Sequence, residues 1–106
     1  MEAFRKRAVV KFQDLIAKLP QSDDPGYVVA FEDQKIEAGV YKPDRVDLQT
    51  PHDEDELYVV LKGQATFYLE QDEYQVEEGD LLFVPAKAEH GFKDFSDDFV
   101  VWAFFY

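Results

Sequence analysis

From Tyr27 to Tyr106 the chain breaks into short segments of strand character, none longer than eight residues, each closed by a turn signal. Tyr27–Glu32 and Lys35–Tyr41 meet through Asp33-Gln34, and Gly63 parts Leu57–Lys62 from Gln64–Glu70. Gln71-Asp72 leads into Tyr74–Glu77, and Glu78-Gly79-Asp80 into Leu81–Val84. Glu89–Phe95 and Phe99–Tyr106 flank Ser96-Asp97-Asp98. Closely spaced strands with turn residues between them predict an all-β sandwich or barrel. Only Lys42–Pro51 reads as a long loop, since neither of its prolines could sit in a central strand. Ten phenylalanines and six tyrosines suit the pleated, half-buried surface of a sheet. A length of 106 residues, 46% of them hydrophobic, allows one domain with one core. The last run, Val100 to Tyr106, is too apolar for an exposed edge. Either the barrel core or a second subunit must cover it.

Residues 2–19 have a different period. Phe4, Ala8, Phe12, Leu15, Ile16 and Leu19 recur at helical spacing, with Arg5, Lys11, Asp14 and Lys18 on other faces. Pro20 ends the pattern, and Ser22 to Gly26 is a turn cluster. The expected organisation is therefore an N-terminal amphipathic helix within residues 1–20 and a barrel over residues 27–106. The helix would lie on the barrel or across the seam of a homodimer.

Charge sorts the partners. The chain carries a net −12, yet residues 1–19 hold five bases against two acids. The acidic body repels phosphate backbones, which argues against nucleic acid. Glu2 and Asp14 interrupt the basic helix, which argues against a membrane-surface role. No apolar run approaches the roughly 20 residues needed to cross a bilayer, and no signal-peptide core is visible. A cytoplasmic protein is the expectation. With no cysteine, neither a disulfide framework nor a thiolate zinc site can form.

Chemistry gathers around the chain's two histidines. Gln49 to Gly63 packs His52, four consecutive acids (Asp53, Glu54, Asp55, Glu56), an apolar strand and a glycine into fifteen positions. Strand alternation puts Glu56, Tyr58 and Val60 on one face, so Glu56 projects from the strand's opening into the barrel interior. An ionised carboxylate there is costly unless paired or ligating. His52, four residues earlier, can fold back to the same mouth, and imidazole with carboxylate suits a divalent transition metal. Taken alone, Asp53 to Glu56 would be a solvated acidic loop. The second stretch, Gly79 to Asp94, adds weight: an apolar strand stops at Pro85, and His90 follows five residues later.

These two stretches resemble the paired motifs of small single-domain cupins of the RmlC-like type. The family's first motif sets two histidines one residue apart, then a glutamate, then a glycine seven residues beyond it. His52, Glu56 and Gly63 match, while Thr50 stands at the first histidine's position. In the second motif Gly79, Pro85, His90 and Asp94 keep the spacing, with Lys87 replacing a glycine and Asp94 an asparagine. The resemblance implies a double-stranded β-helix, or jelly-roll, barrel and a metal held by His52, Glu56 and His90. Gln49 would offer an amide oxygen as a fourth donor. Two histidines and a carboxylate suit non-haem iron, with zinc, nickel and manganese as alternatives. The implied activity is that of a mononuclear metalloenzyme of dioxygenase, isomerase or lyase type acting on a small organic molecule. The alternative is a non-catalytic barrel that binds or senses a small ligand. Tyr58, on the face of Glu56, would line the pocket or pack the core, and Phe92, on the face of His90, would wall the cavity. Lys87 would meet an anion or simply sit exposed in its turn. No phosphate loop or nucleophile elbow is present.

Overall fold

The computed structural model describes residues 9–19, 26–43 and 52–106. Eight strands follow a short helix: β1 (Tyr27–Glu32), β2 (Glu37–Tyr41), β3 (Glu56–Lys62), β4 (Gln64–Leu69), β5 (Asp72–Glu77), β6 (Leu81–Val84), β7 (His90–Lys93) and β8 (Val100–Phe105). They form a five-stranded sheet in the order β1-β2-β8-β3-β6 and a three-stranded sheet in the order β5-β4-β7. Every pairing is antiparallel. This is the all-β, jelly-roll barrel expected, with every strand end within two residues of that predicted.

The non-sequential order explains the apolar C-terminal run. β8 is no edge: it lies between β2 and β3, paired on both sides. Val101 and Ala103 point into the core, and both are buried. Trp102 and Phe104 turn to the outer face, their rings near-parallel with centroids 6.4 Å apart. Between the sheets, Phe92 holds the middle of the core, its ring centroid 4.9 Å from Phe99, 5.0 Å from Tyr58 and 5.5 Å from Phe67. Burying a ring of this size contributes roughly 2–3 kcal/mol over leaving it exposed. Phe92, expected to wall the cavity, is instead packed within the core.

Gly63 closes the β3–β4 turn with φ +80°, and a Cβ there would stand 2.7 Å from the Phe99 backbone. Only glycine meets both demands. The motif glycine is thus a requirement of the fold and not of the site.

The helix differs from expectation. Within the described residues it is a single short element, α1 (Phe12–Ile16). Lys11 is extended (φ −97°, ψ 126°), so the helix predicted over residues 2–19 does not run through residues 9–11. Val9 and Val10 supply the reason, since two β-branched residues in succession disfavour helix. Residues 1–8 lie outside the described residues. Leu15 is buried with Val40 and Val100, and Phe12, Ile16, Val28, Leu61 and Trp102 pack against this cluster. The apolar stripe of α1 therefore covers the outer face of the five-stranded sheet. Among the described residues no helix is long and apolar enough to cross a membrane.

Candidate metal centre

Three chain segments converge at one end of the barrel. Glu56 opens β3, whose inner face continues with Tyr58 and Val60. His90 opens β7 in the facing sheet. His52 comes from the loop before β3, and that loop is tied down from two sides. The Lys87 N–H donates to the His52 carbonyl at 2.6 Å, and the Ala86 N–H donates to Asp55 Oδ1 at 2.8 Å. Asp55 and Tyr106 also exchange backbone hydrogen bonds at 3.0 and 3.2 Å. The turn of the second motif and the chain's C-terminus thus hold the histidine of the first.

The four consecutive acids separate into different roles. Asp53 and Glu54 are exposed, as a solvated loop would have them, and Asp55 serves as a local clamp. Glu56 is fully buried. Its Oε1 lies 2.8 Å from His52 Nε2 and 3.3 Å from His90 Nε2. Its Oε2 has no hydrogen-bond partner among the described residues. One ligand atom from each of the three residues falls within 4.8 Å of the others.

The other ring nitrogens fix the tautomers. His52 Nδ1 lies 3.0 Å from the Glu54 carbonyl, and His90 Nδ1 lies 3.0 Å from the Ala88 carbonyl. A carbonyl oxygen only accepts, so each Nδ1 carries its proton. When neutral, both imidazoles aim their Nε2 lone pairs at the carboxylate. Lone pairs meeting a carboxylate repel unless a cation lies between them. Backbone carbonyls orienting ligand histidines through the remote nitrogen are the usual support of such a site. The donor set fits a divalent transition metal: His52, Glu56 and His90 would hold it.

Tyr58 lies directly beneath. It is fully buried, its ring 6.3 Å from that of His90 and 5.0 Å from Phe92, so it floors the centre as part of the core. Lys87 is exposed, and its positive φ of 69° sits at the position where the cupin motif has glycine. Asp94, with φ 53°, takes the asparagine's place. Both motif positions are left-handed backbone sites, which lysine tolerates poorly. Lys87→Gly is expected to stabilise the fold by about 1 kcal/mol, read as a higher midpoint in urea. An unchanged or lower midpoint would show that the lysine side chain contributes more than its backbone strain costs. Gln49 and Thr50 lie outside the described residues.

Residues that sequence reading did not single out also border the centre. The Phe105 ring meets His52 edge-on at 5.1 Å and Tyr27 at 6.1 Å. Tyr27 donates to Glu37 Oε2 at 2.7 Å. Nothing local marks these three; they arrive through the β2-β8-β3 register, which hydrophobic patterning cannot supply.

Comparison with known proteins agrees with this architecture. Residues 39–106 match the family model of the cupin domain. The chain belongs to the cupin family. An uncharacterised protein of Streptomyces coelicolor is 31% identical over 86 residues, covering 79% of this chain and 82% of that one. Among solved structures, KdgF from Halomonas sp. superposes with a TM-score of 0.69 at 23% identity, covering 80% of this chain and 82% of that chain. An RmlC-like cupin from Shewanella frigidimarina gives 0.66 at 16% identity, covering 79% and 78%. At these identities both structures support the fold alone.

Proposed function

We propose that the chain binds one divalent transition metal ion through His52, Glu56 and His90 and uses it on a small organic molecule, as a mononuclear metalloenzyme. The observation that carries this is the inward aim of both Nε2 atoms at a buried carboxylate whose second oxygen lacks a hydrogen-bond partner among the described residues. When bound, such an ion supplies Lewis-acid polarisation of a substrate oxygen or a redox centre. Iron, zinc, nickel and manganese all accept this donor set.

The protein's own part is positioning. Glu56 and His90 are fixed by strands of opposite sheets and are closed to solvent. The His52 side chain keeps 23% of its exposure, so the open side of the centre faces the His52 loop. Phe105 walls that side with an apolar edge and Tyr27 adds a hydroxyl. A small ligand entering there would meet the centre, with water reduced around it.

A second reading is a barrel that binds or senses a small ligand without chemistry. The observation favouring it is Thr50 at the position of the family's first histidine, which lowers the count of strong donors. Metal content by mass spectrometry decides the first step. Tag-free protein would be reconstituted separately with Fe(II), Zn(II), Ni(II) and Mn(II), then freed of excess ion. Near-stoichiometric retention of one metal is the expected result. Retention of none overturns the metalloenzyme and leaves the binding barrel.

A further inference from the structure

One row of the five-stranded sheet crosses the mouth of the barrel beside the metal centre. β8 pairs Phe105 with Glu37 on one side and with Glu56 on the other. Directly opposed residues in antiparallel strands share a face. Glu37 precedes the buried Gly39 and Tyr41 by two and four positions, which puts it on the inner face with Glu56. Two strand spacings separate the Glu37 and Glu56 backbones, about 10 Å. A second carboxylate therefore looks into the same end of the barrel, outside the ligand set.

That carboxylate is held in place. The Tyr27 hydroxyl donates to Glu37 Oε2 at 2.7 Å, with the Tyr27 ring resting on Gly39. A Cβ on Gly39 would lie 2.5 Å from three atoms of the Tyr27 side chain, so the bare backbone is the seat of the ring. Burial first, and then the neighbouring Glu37 carboxylate, push the Tyr27 hydroxyl well above the ordinary tyrosine range. It remains a donor at any physiological pH. Between this pair and His52 stands the Phe105 ring, touching both edge-on. Polar pair, apolar spacer and metal ligands thus follow one another along the row.

We propose that Glu37, oriented by Tyr27, is the specificity-determining residue of the centre. It selects small ligands that place an oxygen donor on the metal and a hydroxyl or ammonium group, some three carbons away, on Glu37. The intervening carbons lie against Phe105. This rests on the metal reading above and names the ligand class for the same site. A carboxylate favours a donor and above all a cation, whereas a ligand ending in a second anion is rejected by like charge.

The test uses full-length protein loaded with Co(II), whose visible spectrum reports ligands entering its coordination sphere. The probes are butyrate, 4-hydroxybutyrate and 4-aminobutyrate, which share the carboxylate head and differ at the far end. Wild type is expected to bind 4-aminobutyrate about tenfold more tightly than butyrate, with 4-hydroxybutyrate between them. Glu37→Gln is expected to lose the ammonium preference while keeping its Co(II) spectrum and its butyrate affinity. Tyr27→Phe, which keeps the ring on Gly39, should reduce the preference without abolishing it. It also stands in if Glu37→Gln fails to fold. Equal affinity for the three probes in wild type, no spectral response to any of them, or an intact preference in a folded Glu37→Gln overturns the assignment. A chain that takes up no Co(II) overturns the metal reading itself, and this one with it. Co(II) uptake without discrimination overturns this one alone.

Discussion

Replacing His90 with alanine is expected to weaken metal binding by a hundredfold or more, and replacing His52 by less. Structural zinc sites with four ligands contribute about 10–16 kcal/mol, or roughly 3 kcal/mol per ligand, which is over a hundredfold in Kd for each one lost. The two histidines are not equivalent. His90 is fully buried at the start of β7, and an alanine there leaves an apolar hollow that water enters poorly. His52 is partly exposed on a loop, so water can take its place on the metal at a smaller cost. Competition against a chromogenic chelator would give Kd for wild type and both variants. The expected order is wild type tightest, then His52→Ala, then His90→Ala. Equal Kd in all three would mean that the metal sits elsewhere, and the convergence on Glu56 would then be an internal ion pair.

The three converging side chains were legible from sequence because each is chemically singular. His52 and His90 are the only histidines, and Glu56 is the acid at which a solvated run turns into an apolar strand. Strand alternation alone placed Glu56, Tyr58 and Val60 on the inner face, and burial agrees for all three. Motif spacing then linked β3 to β6 and β7 without any knowledge of the sheet order. Glu37 had no such signature. It sits in a hairpin whose apolar pattern is ordinary, and its nearness to Glu56 follows from β8 inserting between β2 and β3. That insertion pairs residues nearly seventy positions apart, such as Glu37 with Phe105. The same non-local step made the apolar C-terminus ambiguous between core and subunit interface. The helix was over-read for a different reason. Periodicity counted faces correctly for Phe12, Leu15 and Ile16, but it ignored the weak helix propensity of Val9-Val10.

Adding the preferred metal is expected to raise the unfolding midpoint of wild type by roughly 15 °C, and to leave Glu56→Gln nearly unmoved. An ion that binds only the folded state, present at a thousand times its Kd, stabilises by about 4 kcal/mol. Each kcal/mol shifts the midpoint of a domain near 100 residues by about 4 °C or more. Glutamine separates this from a purely structural role for the cluster. Its amide keeps the shape of Glu56 and can donate to a histidine Nε2 lone pair, yet it removes the buried negative charge. If Glu56 is there for a cation, the metal-free Glu56→Gln protein should be at least as stable as metal-free wild type, since the amide avoids the desolvation penalty that a buried charge without its cation carries. If the carboxylate is instead a structural partner of two protonated histidines, removing it should cost about 3–5 kcal/mol, because the buried His90 charge and the half-buried His52 charge lose their counter-ion. Calorimetry of both proteins, with and without metal, separates the two. A metal-free variant more stable than its parent, coupled to a lost metal response, would mean that this end of the barrel gives up stability to hold an ion.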